Sequence, residues 1–156
     1  MEFLETIQRL KKYFDISELV GKAAAERYKL QGDIAWAFFD ARLLEVLLWL
    51  REGLNIPLVC NTPRLQERGL RTNVSQTVRA KTLANQMYCS AHVLGKGVDL
   101  SSGRMSAMEI RQWIREHIDE CPYPIRLEND ESAPTWVHID VMNVTGKKLY
   151  EFSAKS

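Results

Sequence analysis

The chain has 156 residues, of which 46% are hydrophobic, and its 21 basic and 20 acidic side chains leave a formal net charge of +1. That length suits one domain around one core, and the balanced charge excludes a general electrostatic pull toward nucleic acid or an anionic membrane. The longest early apolar stretch, Leu43 to Leu50, is broken by Glu45 and bounded by Arg42 and Arg51, far short of a membrane span.

The N-terminus carries Glu2, Glu5, Arg9, Lys11 and Lys12 among its apolar residues, so it lacks the core of a signal peptide. Synthesis in the cytoplasm without an export signal is the expectation. Phe3, Leu4, Ile7, Leu10 and Phe14 recur at helical spacing, and Asp15 with Glu18 forms a capping-box pattern opening a second helix through Leu19, Val20, Ala23 and Ala24. Gly32 closes that segment. Asp33 is placed to cap a third helix carrying Trp36, Phe39, Leu43, Leu47 and Leu50, with Gly53 as its left-handed terminus.

Ile56 to Cys60 reads as a short buried strand bounded by Asn55 and Thr62-Pro63. Residues 64–76 are polar and basic without period, as in a loop along the rim of a site. Residues 77–88 fit either a helix or an extended loop. Ser106 with Glu109 is a second capping box, opening a helix through Ile110, Trp113, Ile114 and His117 that ends before Pro122. Ile125 to Glu128, Trp136 to Met142 and Lys148 to Phe152 read as antiparallel strands, the last two joined across Thr145-Gly146. Helices followed by strands predict an α+β fold: N-terminal helices (residues 1–54) packed on a small antiparallel sheet within the remainder (55–156), in one domain.

Cys60, Cys89 and Cys121 are odd in number and show no CxxC pair, which argues against a disulfide framework and for small buried thiols. Cys89, three residues before His92, is the one placed to join a metal.

The stretch Ser90-Ala91-His92-Val93-Leu94-Gly95-Lys96-Gly97-Val98-Asp99 carries the chemistry. His92 and Asp99 can meet at one ion only if the chain between them folds back, and Gly95 and Gly97 offer backbone freedom for that. A catalytic zinc takes three nitrogen or oxygen donors and keeps a position open. The chain has three histidines: His138 lies in a strand pattern with Asp140 on its own face, whereas His117 reads as a mid-helix surface residue.

This pattern resembles the zinc D-alanyl-D-alanine carboxypeptidase family, which shares its fold with hedgehog signalling domains and includes phage endolysins. That family's motif is SxHxxGxAxD followed by a W-x-H strand. Ser90 to Asp99 fits it with Gly97 in place of alanine, and Trp136-Val137-His138 fits fully. Asn61 and Gly69-Leu70-Arg71 extend the similarity toward the family's G-Y-R segment.

The resemblance implies a hedgehog/DD-peptidase-like fold and one zinc per chain on His92, Asp99 and His138. It also implies peptidoglycan stem peptide as substrate, a phage or prophage setting, and Arg71 as binder of the substrate carbonyl or oxyanion. The family's catalytic glutamate stands three residues before the last histidine, where this chain has Thr135. Glu128, at the end of the preceding strand, is the preferred base, with Glu131 in reserve. Asp140 is placed to orient an imidazole and Ser90 to hold the ligand loop. The displaced glutamate keeps open a non-catalytic, zinc-stabilised module that binds cell wall or protein.

Overall fold

The computed structural model describes residues 1–154. Helix α1 (Phe3–Leu10) buries Thr6, Ile7 and Leu10 against α4 (Ala41–Leu54). Six of the fourteen residues of α4 are buried and they occupy most of its circumference, which makes it the central helix. Each fully buried leucine there stabilises the fold by roughly 1.5–3 kcal/mol relative to exposure.

Two helix boundaries differ from the sequence pattern. Asp33 makes no side-chain cap; a 3₁₀ turn follows it (Ile34–Phe38), and the cap of α4 is Asp40, whose carboxylate accepts from Arg42 N at 2.9 Å. Asn55, at φ 52°, and not Gly53, is the left-handed terminus. Gly53 lies inside the last turn because a Cβ there would stand 2.4 Å from the Trp113 ring.

Between α1 and α4 lie two short helices, α2 (Ser17–Val20) and α3 (Lys22–Tyr28). Only half of the predicted capping box at α2 forms: Glu18 accepts from Asp15 N, but the Asp15 carboxylate takes the N–H and hydroxyl of Ser17. The predicted strand at 56–60 reduces to a single bridge, Val59 to Ser101. The ambiguous segment holds a short helix, α5 (Gln76–Leu83), with no buried residue. The Ser106–Glu109 capping box forms completely and opens α6 (Ala107–His117), so His117 ends that helix and stacks on Trp113 at 4.2 Å. No helix among the described residues is long and apolar enough to cross a membrane.

The sheet is mixed, not wholly antiparallel. Its order is β1-β3-β2-β4, from β1 (Gly97–Leu100), β2 (Ile125–Glu128), β3 (Val137–Asp140) and β4 (Leu149–Phe152). Strand β3 pairs antiparallel with β1 on one edge and β2 on the other, so it has no edge left for the hairpin predicted across Gly146. Strand β4 instead runs parallel to β2, with Ile125 beside Leu149.

The period of two splits the sheet by chemistry. Val98, Leu100, Ile125, Leu127, Val137 and Ile139, at most 1% exposed, face the core that also takes in α1, α4 and α6. The other face carries Gly97 and Asp99 from β1, His138 and Asp140 from β3, and Arg126 and Glu128 from β2.

Candidate metal centre

Register brings Asp99 and His138 together, since they are direct partners in the β1–β3 ladder. His138 Nδ1 donates to Asp99 Oδ1 at 2.9 Å, and His92 Nε2 lies 3.4 Å from the same oxygen. One donor atom from each of these three buried residues lies within 4.8 Å of the other two, a grouping able to bind a metal ion. In a tetrahedral site with bonds of about 2.0–2.1 Å, neighbouring donor atoms stand about 3.3 Å apart. The two separations from Asp99 Oδ1, 2.9 and 3.4 Å, are on that scale.

Both ring orientations are fixed from outside the cluster. His92 Nδ1 donates to Gly69 O at 2.9 Å, which turns Nε2 toward Asp99. His138 Nε2 bonds Asp140 Oδ2 at 2.8 Å, which leaves Nδ1 as that residue's metal-facing atom. Burial alone would lower the His138 pKa, but hydrogen bonds to Asp140 and Asp99 outweigh it and hold the imidazole up at about 9. Burial would raise both carboxyls, yet the His138 contact, joined by His92 at Asp99 and Arg126 at Asp140, holds them below the usual range. A divalent cation at Nδ1 would therefore exchange for a proton.

The backbone behind the cluster explains the glycines. Asn61 Oδ1 accepts from Arg68 N and Gly69 N at 3.0 and 3.1 Å, so it sets the strip whose Gly69 O holds His92 and whose Arg68 O accepts from Asp99 N. A Cβ on Gly69 would lie 1.9 Å from Leu19 O of α2, and one on Gly95 would lie 2.1 Å from Phe38 O. Gly95 also has φ +66° and folds the loop back. Gly97 works differently from the expected freedom: its backbone is ordinary strand, and the absent Cβ makes room. A methyl there would meet Ala91 Cβ at 2.7 Å, Asp140 Cβ at 3.0 Å and His138 Cε1 at 3.2 Å.

Glu128 ends β2, 8% exposed. The β2–β3 register pairs Arg126 with Asp140 and Leu127 with Ile139, and one further step sets Glu128 beside His138. Directly opposed residues have Cβ atoms about 4.5–5.5 Å apart. Its backbone carbonyl is held by Arg111 Nε at 2.8 Å, while its carboxylate bonds no other side chain or backbone group among the described residues. Glu131 and Thr135 are exposed in the connection that follows.

Arg71 is joined to the cluster by backbone, its N–H donating to His92 O at 3.1 Å. Its guanidinium donates from Nε to Glu67 O at 2.8 Å and from Nη1 to Tyr88 Oη, leaving Nη2 without a protein acceptor among the described residues. It lines a small groove with Tyr28, Phe38, Leu70, Val93 and Leu94. The larger surface groove, of about 1010 Å³, lies between α2–α3 and residues 61–76, and none of the three candidate ligands lines it. Among the described residues, metal-binding donor atoms converge only at the His92-Asp99-His138 cluster. Ser90 Oγ accepts from Val93 N at 3.4 Å within the ligand loop. Cys89 is exposed and is not one of the clustered donors, whereas Cys60 and Cys121 are buried.

Two residues absent from the sequence-level site organise it. Arg111, 0% exposed, donates to Glu128 O, Ala133 O and Trp136 O and pairs with Asp130, clamping the β2–β3 connection. Its signal was an arginine on the buried stripe of α6, beside Ala107, Ile110 and Ile114. Arg126 grips Asp140 with Nε and Nη2, both at 2.8 Å; its signal was its place on the same strand alternation as Glu128. Compared with known proteins, the chain matches no family model, no curated protein and no solved structure, so the geometry of this cluster carries the functional reading.

Proposed function

We propose that the protein is a zinc-dependent peptidase that hydrolyses an amide bond in peptidoglycan stem peptides, as a D,D-carboxypeptidase or an endolysin-type endopeptidase. The supporting observation is one juxtaposition: a buried His-Asp-His donor set with a carboxylate, Glu128, on the same sheet face and without a side-chain or backbone partner among the described residues. Two imidazoles and one carboxylate suit zinc, and three protein donors leave a position open for chemistry. Zinc bound there supplies Lewis acidity, polarising a carbonyl and bringing the pKa of water down toward about 7.

The chain's own residues supply the rest. Glu128 accepts a proton from the attacking water and returns it to the leaving amine nitrogen. Arg71 Nη2 donates to the carbonyl oxygen as it gains negative charge. His138 and His92 stay fixed by Asp140 and Gly69 O, so the donor set needs no reorganisation.

The second reading, a zinc-stabilised module that binds wall peptide or protein without cleavage, draws on the Arg71 guanidinium already engaged by Tyr88 and Glu67. Purified protein incubated with peptidoglycan separates the two. The peptidase reading requires new amino termini that stop appearing when a chelator is added, and mass spectrometry of the fragments names the bond. Glu128→Gln should keep one zinc per chain and lose about 10²–10⁴-fold in rate. Full activity in that variant rejects Glu128 as the base; wild-type protein that binds the wall and releases nothing favours the binding module.

A further inference from the structure

Around His138 the polar sheet face closes into a ring of four side chains. His138 Nε2 bonds Asp140 Oδ2; Arg126 grips both Asp140 oxygens; the Arg126 guanidinium lies 4.5 Å over the Phe152 ring; and Phe152 meets His138 at 5.9 Å, edge-on at 89°. The ring uses three strands, with Arg126 opposite Asp140 across β2–β3 and Phe152 beside Glu128 across β2–β4. Asp140 is 0% exposed, and Met142 N donates to its Oδ1 at 2.9 Å.

A wholly buried carboxylate is costly unless its charge is met. Arg126 meets it with two charged hydrogen bonds, one to each oxygen, and Asp140 in turn holds His138 Nε2. The guanidinium suits this task because its planar fork matches both oxygens, which a lysine ammonium cannot do. One face of the guanidinium rests on Phe152, which also meets the His138 ring edge-on.

We propose that Arg126 is a positioning residue of the metal centre. Acting through Asp140 with Phe152 as backing, it keeps the proton of His138 on Nε2 and presents Nδ1 to a divalent cation. The inference rests on the reading that His92, Asp99 and His138 hold a metal, but not on any particular substrate.

Zinc affinity measured by chelator competition tests it, with the thermal transition of each metal-free variant confirming the fold. Arg126→Met and Asp140→Asn should each weaken zinc binding by about 10–100-fold, and Arg126→Lys by an intermediate factor. Because Arg126 acts through Asp140, the double variant should bind within about twofold of Asp140→Asn alone, whereas independent sites would multiply their losses. Nitrogen chemical shifts of His138 in the zinc-bound protein should report Nδ1 as the coordinated nitrogen and Nε2 as N–H, and that Nε2 proton should exchange faster with solvent in Arg126→Met. Unchanged affinity in Arg126→Met, or multiplied losses in the double variant, overturns the proposal while the metal reading stands. Wild-type protein that binds no divalent cation overturns both.

Discussion

Arg111→Met removes the clamp behind Glu128 while keeping a side chain of comparable reach, so lost donors, not lost volume, dominate the effect. Arg111 is wholly buried, and its removal strips the charged donor from three carbonyls, those of Glu128, Ala133 and Trp136. A buried acceptor left unmet costs about 1–3 kcal/mol, and breaking a buried charged network costs about 3–5 kcal/mol in all, since the terms do not add fully. Against a total stability of about 5–15 kcal/mol this is a large fraction. Urea unfolding in the presence of chelator reads it directly. With a slope of about 1–3 kcal/mol per molar, the midpoint should fall by about 1 M or more. Asp130→Asn is the control: Asp130 is the half-exposed arm of the network, 41% accessible, and its loss should cost under about 1 kcal/mol. An Arg111→Met loss below about 1 kcal/mol, or an equal loss in Asp130→Asn, would refute the carbonyl clamp.

Gly97→Ala should destabilise by about 1–3 kcal/mol through overpacking against Ala91 and His138, and weaken metal affinity; urea unfolding and chelator competition measure the two. Native protein should show one fast-reacting thiol, Cys89, in a colorimetric thiol titration. Cys60 is buried and its thiol is pushed up to about 12 by desolvation, and Cys121 is raised by the same cause; two or three fast equivalents would contradict this. Asp40→Ala should cost about 1 kcal/mol by loss of the α4 cap. The hydrogen bond from Arg42 holds the Asp40 carboxyl below the usual carboxylate range. That part of the stability is present above the unfolded value and lost as pH falls through the folded one. The gap between wild type and Asp40→Ala, followed by denaturant unfolding from pH 6 downward, should therefore narrow only in acid.

The sequence exposes what depends on local periodicity and hides what depends on partners. Alternation through Trp136 to Asp140 puts His138 and Asp140 on one face, and their 2.8 Å hydrogen bond follows from that spacing. The Ser106–Glu109 box is a local device and forms as its pattern says. Strand β1 is different: Gly97–Leu100 reads as part of a glycine-rich turn, and it becomes a strand only because β3 offers an edge. The same edge explains β4, since its parallel pairing with β2 depends on which side of β3 is already occupied. Gly53 was misleading because close packing against Trp113 and helix termination call for the same residue. Asp33 was misleading because Asp40 offers an equal cap, and only the tertiary path selects between them.

Gly69 and Gly95 are pressed against the carbonyls of Leu19 and Phe38, and those contacts are cross-braced by Leu70 N to Leu19 O at 2.8 Å and Asp40 N to Gly95 O at 2.9 Å. For anyone seeking a smaller reagent, this means that the ligand loop cannot be lifted out as a cassette. Its curvature is moulded by helical backbone from the first forty residues, so a graft of Ser90 to Asp99 onto another scaffold would carry the donor identities without their shape. Trimming the helices would release the mould in the same way. Redesign for another metal or substrate should therefore keep Leu19, Phe38 and Asp40 in place and vary the solvent-facing rim instead.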